Sequence, residues 1–249
     1  MPHLKNMKNR EKLVLAGLYL SKYDRKGLEK LGFSSFSEAF NILGYALNGK
    51  PMNIKNYRDE FDPYFDNNRQ GWKNRELREY CKKVMDFAKD FDFEYFSDVI
   101  SACLVKDFKI QKEVDKVLKI DREKSFINRI STGLAAENYF IENYQNQDVF
   151  KPFSMSDTRT LGCGFDFKLD YESDFYCVEV KGLNAKTGNF LMTQKEFDVA
   201  ESFNDKYCLY VVKDFREAPF ETLFFNPLKH FDLKKISQQV IQVSYQGLV

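Results

Sequence analysis

The sequence predicts an α+β protein in which an N-terminal all-α module precedes an α/β domain with a central mixed sheet. Three observations predict this fold class. Apolar residues recur at three- and four-residue steps through the first half of the chain. Strand-like apolar runs alternate with turns after residue 146. One helical segment interrupts those runs, which is typical of a connection between parallel strands. We therefore divide the chain into residues 1–118 and 119–249.

The first module contains two helices in the outline of a helix-turn-helix. A helix is predicted over 37–48 and is broken by Gly49-Lys50-Pro51. Another helix follows over 53–61. An ordinary helical hairpin has the same outline, but the basic and aromatic continuation over 67–83 favours DNA. The candidate DNA-binding residues are Lys55, Asn56, Tyr57, Arg58, Arg69, Lys73 and Arg75.

The second module begins with helical spacing over 121–146 and continues with strands and one helix. Thr193 is followed three residues later by Glu196, which is the spacing of a capping box, so a helix begins there. We assign both residues to capping alone. The predicted strands cover 164–170, 175–180, 189–192 and 207–212.

Composition excludes several classes of site. The chain has only two histidines, His3 and His230. This scarcity argues against a zinc site built on histidine and against a Ser-His-Asp triad. Five scattered cysteines without a C-x-x-C pair indicate reduced thiols and a cytoplasmic location. No apolar run reaches the roughly 18 residues of a membrane span.

The charge is distributed unevenly although the net charge is only +1. Residues 1–120 contain 23 Lys and Arg against 18 Asp and Glu, whereas the remainder contains 15 against 19. A basic module joined to an acidic one is compatible with a DNA-binding part beside a carboxylate-rich site.

The most informative segment is the predicted hairpin 164-GFDFKLDYESDFYCVEVKG-182. A two-residue loop at Glu172-Ser173 sets a register in which Asp166 lies opposite Glu179. Alternation then puts Lys181 on the same face as these two carboxylates. Facing carboxylates repel each other unless a cation lies between them, so we expect a metal site at this face. A solvated outer face with an ordinary ion pair is the alternative.

Carboxylate oxygens favour Mg²⁺ over Zn²⁺ as the metal bound by Asp166 and Glu179. An ammonium at Lys181 is suited to stabilise an attacking hydroxide or the charge that develops on a phosphate. These three residues are the candidate catalytic core.

The spacing D166-(x12)-E179-V-K181 resembles the PD-(D/E)-x-K nuclease superfamily, although Phe165 stands where that superfamily often has proline. The longer string, GFDF through YCLYVV, is similar to the NO VEIN C-terminal-like domain of bacterial restriction and defence proteins. The resemblance implies a restriction-endonuclease-like fold for 119–249. It also implies active-site roles for Glu137 and Gln194.

Together these features predict a Mg²⁺-dependent endonuclease that hydrolyses double-stranded DNA, as a restriction or defence enzyme. Two copies would act as a homodimer, since a duplex has two strands to cut. A methyltransferase or ATPase subunit is a further expected partner. The alternatives are a catalytically inactive DNA-binding regulator and a structure-selective or RNA-directed nuclease.

Overall fold

The computed structural model describes residues 7–105, 125–237 and 246–247. These residues form an N-terminal helical region followed by a mixed β-sheet, so the predicted α+β class is confirmed. No helix within the described ranges combines the length and the apolar character that a membrane span requires.

The N-terminal region consists of helices joined by short connections. Local signals explain where two of them begin: the Ser35 hydroxyl accepts from the amide of Glu38 and caps the second helix, and proline stands at the first turn of the third. The helices are α1 (Asn9–Leu31), α2 (Phe36–Ala46), α3 (Pro51–Phe61), α4 (Glu79–Ala88) and α5 (Phe93–Leu104).

Helices α1 and α3 cross at close range because a glycine lies at the contact. A Cβ atom at Gly17 of α1 would lie only 2.5 Å from the Cβ of Tyr57 on α3. Ile54, Tyr57 and Phe61 are buried on the face of α3 that this packing uses. The predicted second helix of a helix-turn-helix therefore buries one face inside the helical region.

The C-terminal region contains one long helix, a five-stranded sheet and a crossover helix. The strand order within the described residues is β1-β2-β3-β4-β5, with every neighbouring pair antiparallel except β3 and β4. The parallel pair is connected through α7, as the interrupting helical segment predicted. The elements are α6 (Ser125–Asn143), β1 (Ser154–Asp157), β2 (Phe167–Tyr171), β3 (Asp174–Gly182), α7 (Gln194–Phe203), β4 (Tyr207–Lys213), β5 (Phe220–Phe225) and α8 (Pro227–His230).

The predicted hairpin register is confirmed over β2 and β3. Tyr171 pairs with Asp174 across the two-residue loop, and the ladder ends at Phe167 opposite Val178. The capping box is also present, because the Thr193 hydroxyl accepts from the Glu196 amide and the Glu196 carboxylate accepts from the Thr193 amide.

The strand predicted over 189–192 is wrong. These residues form neither a strand nor a helix, and the ring of Phe190 packs against Phe231, with 4.9 Å between centroids. Leu191 points outward and is 73% exposed. The real additional strands are β1 and β5, which form the two edges of the sheet.

One apolar core extends from α1 through α6 to the sheet. Asparagine side chains also join the two regions: Asn41 of α2 donates to the carbonyl oxygens of Phe215 and Glu217, and Asn138 of α6 donates to that of Tyr45. The predicted boundary between residues 118 and 119 lies outside the described residues and stays a prediction.

Candidate active site

The candidate site lies where β3 approaches its carboxyl end. Glu179 lies between Val178 and Val180 and is only 4% exposed, although it is a carboxylate. Lys181 follows two residues later. Gly182 lets helix α6 approach this end of β3, because a Cβ there would lie 2.8 Å from the carbonyl oxygen of Thr132.

The contact of Asp166 with β3 differs from the one that strand alternation predicts. Its amide donates to the carbonyl oxygen of Val178 at 3.0 Å, although Val178 already pairs with Phe167. Two consecutive residues thus face one partner, which is the arrangement of a β-bulge. The Asp166 carboxylate turns toward β3 and accepts from the Val180 amide at 2.9 Å. The expected ladder pair between Asp166 and Glu179 is therefore replaced by this side-chain contact.

Both carboxylates are costly to ionise in the folded protein. Burial raises the pKa of Glu179 to about 8, and the negative charge of Asp166 adds to the effect. Burial likewise raises the pKa of Asp166 to about 6, with the Val180 amide opposing the shift. A nearby positive charge stabilises the ionised form of such carboxylates.

Lys181 supplies positive charge at this point. Its Nζ lies 2.6 Å from Oε1 of Glu179 and 3.1 Å from Oε2 of Glu196. Burial lowers the pKa of Lys181, but these two carboxylates outweigh it and the pKa is raised overall. The ammonium therefore stays charged and bridges the strand to the first turn of α7.

Glu196 is the residue that sequence reasoning missed. We assigned it to capping alone, yet the same oxygen that accepts from the Thr193 amide also accepts from Lys181. The signal was present in the sequence, since the first turn of a helix that follows a strand end lies at the same edge of the sheet.

Glu137 lies near the carboxylate pair but is engaged with an arginine. Its negative charge contributes to the raised pKa of Asp166, while its Oε2 lies 2.6 Å from Nη1 of Arg159. Arg159 also binds Asp157 at the end of β1. Arg159 was not among the predicted site residues.

Gln194 is not brought to the site. Its side-chain amide donates to Oδ1 of Asp198 one turn further along α7 at 2.7 Å, and the residue is exposed. The resemblance that suggested an active-site role for it is therefore not matched by a contact here.

The segment that carries Asp166 is held from behind by β4. The Tyr207 hydroxyl donates to the carbonyl oxygen of Gly164 at 3.0 Å. Gly164 has φ +91°, and a Cβ there would lie 2.9 Å from Cγ2 of Val199 on α7. A left-handed backbone and close contact with α7 explain why glycine stands two residues before Asp166.

The donor set at this site fits a hard divalent cation. Mg²⁺ is usually held by one or two carboxylates, with water and phosphate oxygens completing its shell, and Asp166 with Glu179 provides two. No group of three or more His, Cys, Asp or Glu side chains arranged to hold a metal occurs within the described ranges.

The predicted DNA-binding residues separate into two groups. Lys55, Lys73 and Arg75 are exposed, and Asn56 is partly so. The other three are used inside the helical region: Tyr57 is buried against α1, Arg58 binds Asp59 and lies over Phe36 and Phe40, and Arg69 binds Asp62 and Asp24.

Burial and ion pairing remove this second group from a surface that could meet phosphates. Arg69 binds Asp62 through two nitrogen atoms, each at 2.9 Å, and the Asp62 side chain is only 1% exposed. The expectation that Tyr57, Arg58 and Arg69 contact DNA is not supported by this arrangement.

Comparison with known proteins finds a similarity to one family over part of the chain. Residues 136–225 match the family described as Protein NO VEIN, C-terminal. The matched segment contains every residue of the carboxylate and lysine cluster, from Glu137 to Glu196. No curated protein and no solved structure matches the chain.

Proposed function

We propose that the protein is a Mg²⁺-dependent endonuclease of the PD-(D/E)-x-K type that hydrolyses phosphodiester bonds of double-stranded DNA in a restriction or defence system. The observation that carries the proposal is the buried Glu179 carboxylate, which shares its surroundings with Asp166 and its hydrogen bond with Lys181. The match of residues 136–225 to the NO VEIN C-terminal family is compatible with a nuclease-like or defence protein.

In this proposal Asp166 and Glu179 hold the cation and Lys181 acts on the substrate. When bound, Mg²⁺ supplies the positive charge that polarises a phosphodiester. Lys181 donates from its ammonium to the attacking oxygen or to a phosphate oxygen, where negative charge grows in the transition state. Glu137 assists through its charge on Asp166.

The exposed basic residues of the helical region would hold the duplex. Lys55, Lys73 and Arg75 have side chains at the surface, and the Arg75 guanidinium lies over the ring of Trp72 at 5.1 Å. Phosphate contacts from such residues position a duplex without reading its sequence. We further propose that two copies cooperate in cutting both strands, and that a methyltransferase or ATPase subunit is a partner.

The test is a cleavage assay on four substrates: supercoiled plasmid, linear duplex, single-stranded DNA and RNA. Each is incubated with the purified protein in Mg²⁺ and in EDTA. We expect cleavage of the duplex in Mg²⁺ alone and a loss of at least about 10²-fold in Lys181→Ala. Lys168→Ala is the matched control, because Lys168 lies on the same hairpin but pairs with Asp170, whereas Lys181 pairs with Glu179 and Glu196.

Each other outcome identifies an alternative. Tight binding of duplex without cleavage in any divalent cation indicates a DNA-binding regulator. Cleavage of single strands or RNA with intact duplex indicates a structure-selective or RNA-directed nuclease. Equal activity of Lys181→Ala and Lys168→Ala contradicts the catalytic role given to Lys181.

A further inference from the structure

The ammonium of Lys181 is shared by two carboxylates with different tasks. Glu179 is the deeply buried one, with a side chain 5% exposed, and it is a ligand of the proposed cation. Glu196 comes from another element, the first turn of α7, and lies slightly further from the ammonium. Lys181 thus has one partner that is a proposed ligand of the cation and a second partner on another element.

Glu196 is fixed in place independently of Lys181. Its Oε2 accepts from the Thr193 amide at 2.8 Å, and its own amide donates to the Thr193 hydroxyl at 3.2 Å. The amino end of α7 also carries the positive end of the helix dipole, which favours a carboxylate there. A carboxylate held in this way keeps its position when the charges around it change.

A divalent cation at Asp166 and Glu179 changes those charges. The cation neutralises the negative charge of Glu179. It also repels the ammonium of Lys181, which was paired with that carboxylate. Without a second partner, Lys181 either competes with the cation for Glu179 or leaves the site. Glu196 offers the ammonium an anchor that the cation does not use.

We propose that Glu196 is the positioning residue for Lys181, whose ammonium it retains beside the cation site when a divalent cation takes over Glu179. This inference rests on the proposed function, because it requires that a cation binds at Asp166 and Glu179. Glu196 acts through Lys181 and is not itself a ligand of the cation.

The test is a double-mutant cycle on Mg²⁺ affinity, measured by titration calorimetry on the full chain. Glu196→Gln removes the charge but keeps an oxygen for the capping box, in which glutamine serves as well as glutamate. In the presence of Lys181 we expect this change to raise the Kd for Mg²⁺ about tenfold, within the range for coupled charges in contact. In a Lys181→Met background we expect a change of less than about twofold, because no ammonium competes for Glu179.

A second variant separates positioning from helix capping. Thr193→Ala removes the hydroxyl that accepts from the Glu196 amide but leaves the charge of Glu196, so we expect a lower Tm with an unchanged Kd. If Glu196→Gln raises the Kd equally with and without the Lys181→Met substitution, the inference is overturned, since Glu196 then acts on the cation directly. An unchanged Kd in Glu196→Gln also overturns it.

The failure of this inference is distinguishable from that of the proposed function. If the unsubstituted protein binds Mg²⁺ and cuts duplex while the cycle shows no coupling, only the role of Glu196 is refuted. If the unsubstituted protein binds neither Mg²⁺ nor Mn²⁺, both are refuted, and Glu196 is a structural partner of Lys181.

Discussion

Replacing Asp166 by asparagine removes one of two neighbouring carboxylates while keeping an oxygen for the Val180 amide. The pKa of Asp166 is raised from its ordinary value of 3.8 to about 6, mainly by burial. A shift of about two pKa units corresponds to about 3 kcal/mol between the two protonation states. We therefore expect Asp166→Asn to raise the free energy of unfolding of the metal-free protein by up to about 3 kcal/mol at pH 8.

The effect depends on pH in a definite direction. Because the pKa of Asp166 is higher in the folded state than in the unfolded chain, the folded protein binds more protons between about pH 4 and pH 6. The free energy of unfolding of the unsubstituted protein accordingly falls as the pH rises through this window and stays lowered above it. The advantage of Asp166→Asn is thus absent near pH 4 and full above about pH 6.

The assay is urea unfolding in EDTA at pH 4.5 and pH 8, with the slopes of the transitions compared. Asp170→Asn is the matched control, because Asp170 lies on β2 four residues after Asp166, is 41% exposed and pairs with Lys168. We expect the control to change the free energy of unfolding by less than about 1 kcal/mol. An Asp166→Asn protein that is less stable than the unsubstituted one at pH 8 refutes the idea that burial of the ionised Asp166 carboxylate lowers stability.

Metal binding, ion pairing and helix packing each provide a further prediction. Calorimetry should show the Kd for Mg²⁺ falling by up to about tenfold per pH unit from pH 6 to pH 8. The reason is that a proton on Glu179, whose pKa is raised to about 8, competes with the cation. A pH-independent Kd contradicts this prediction. Arg69→Ala should lower the free energy of unfolding by about 2 kcal/mol, since it removes two hydrogen bonds to the buried Asp62 carboxylate, which keeps the Ser21 hydroxyl and Arg58 at 3.8 Å. The exposed Arg75→Ala should change it by less than about 0.5 kcal/mol, and equal effects of the two substitutions contradict the burial argument. Gly17→Ala should lower the free energy of unfolding by about 1–3 kcal/mol, measured in urea, because the added methyl group overlaps the side chain of Tyr57. An unchanged free energy of unfolding contradicts the close crossing of α1 and α3.

The hairpin shows what the sequence was able to predict. A two-residue loop at Glu172-Ser173 fixes the register of the whole ladder, so the pairs from Tyr171 to Phe167 followed from counting. The placement of Asp166 did not, because a bulge inserts one extra residue and re-aims its side chain. Bulges depend on the surrounding backbone, here on Gly164 and Tyr207, which local spacing does not reveal.

The edges of the sheet were harder to predict than its centre. The run 189–192 is mostly apolar but forms no strand, whereas Ser154–Asp157 is mostly polar and pairs with β2 as an edge strand. The pattern of Phe220–Phe225, bounded by prolines at 219 and 227, was a usable signal. Apolar content alone did not distinguish these cases.

Tertiary partners decided which charged residues were available for function. Arg69 and Lys73 look alike in sequence, yet Arg69 binds Asp24, which lies 45 positions earlier in the chain, while Lys73 is exposed. Glu196 shows the converse, because a capping residue also contacts Lys181 of the candidate site. The pairing of Arg69 was not accessible from local patterns, whereas that of Glu196 required the position of its helix at the edge of the sheet.

The assignment of the active site is tested most directly by the rate of duplex cleavage in Mg²⁺ by Glu179→Gln, compared with the unsubstituted protein and Lys168→Ala. Circular dichroism establishes that all three are folded. We predict equal rates for the unsubstituted protein and Lys168→Ala and a loss of at least about 10²-fold for Glu179→Gln, because a neutral amide in a buried position is a poor ligand for Mg²⁺. Cleavage by Glu179→Gln at the unsubstituted rate contradicts the assignment of this cluster as the active site.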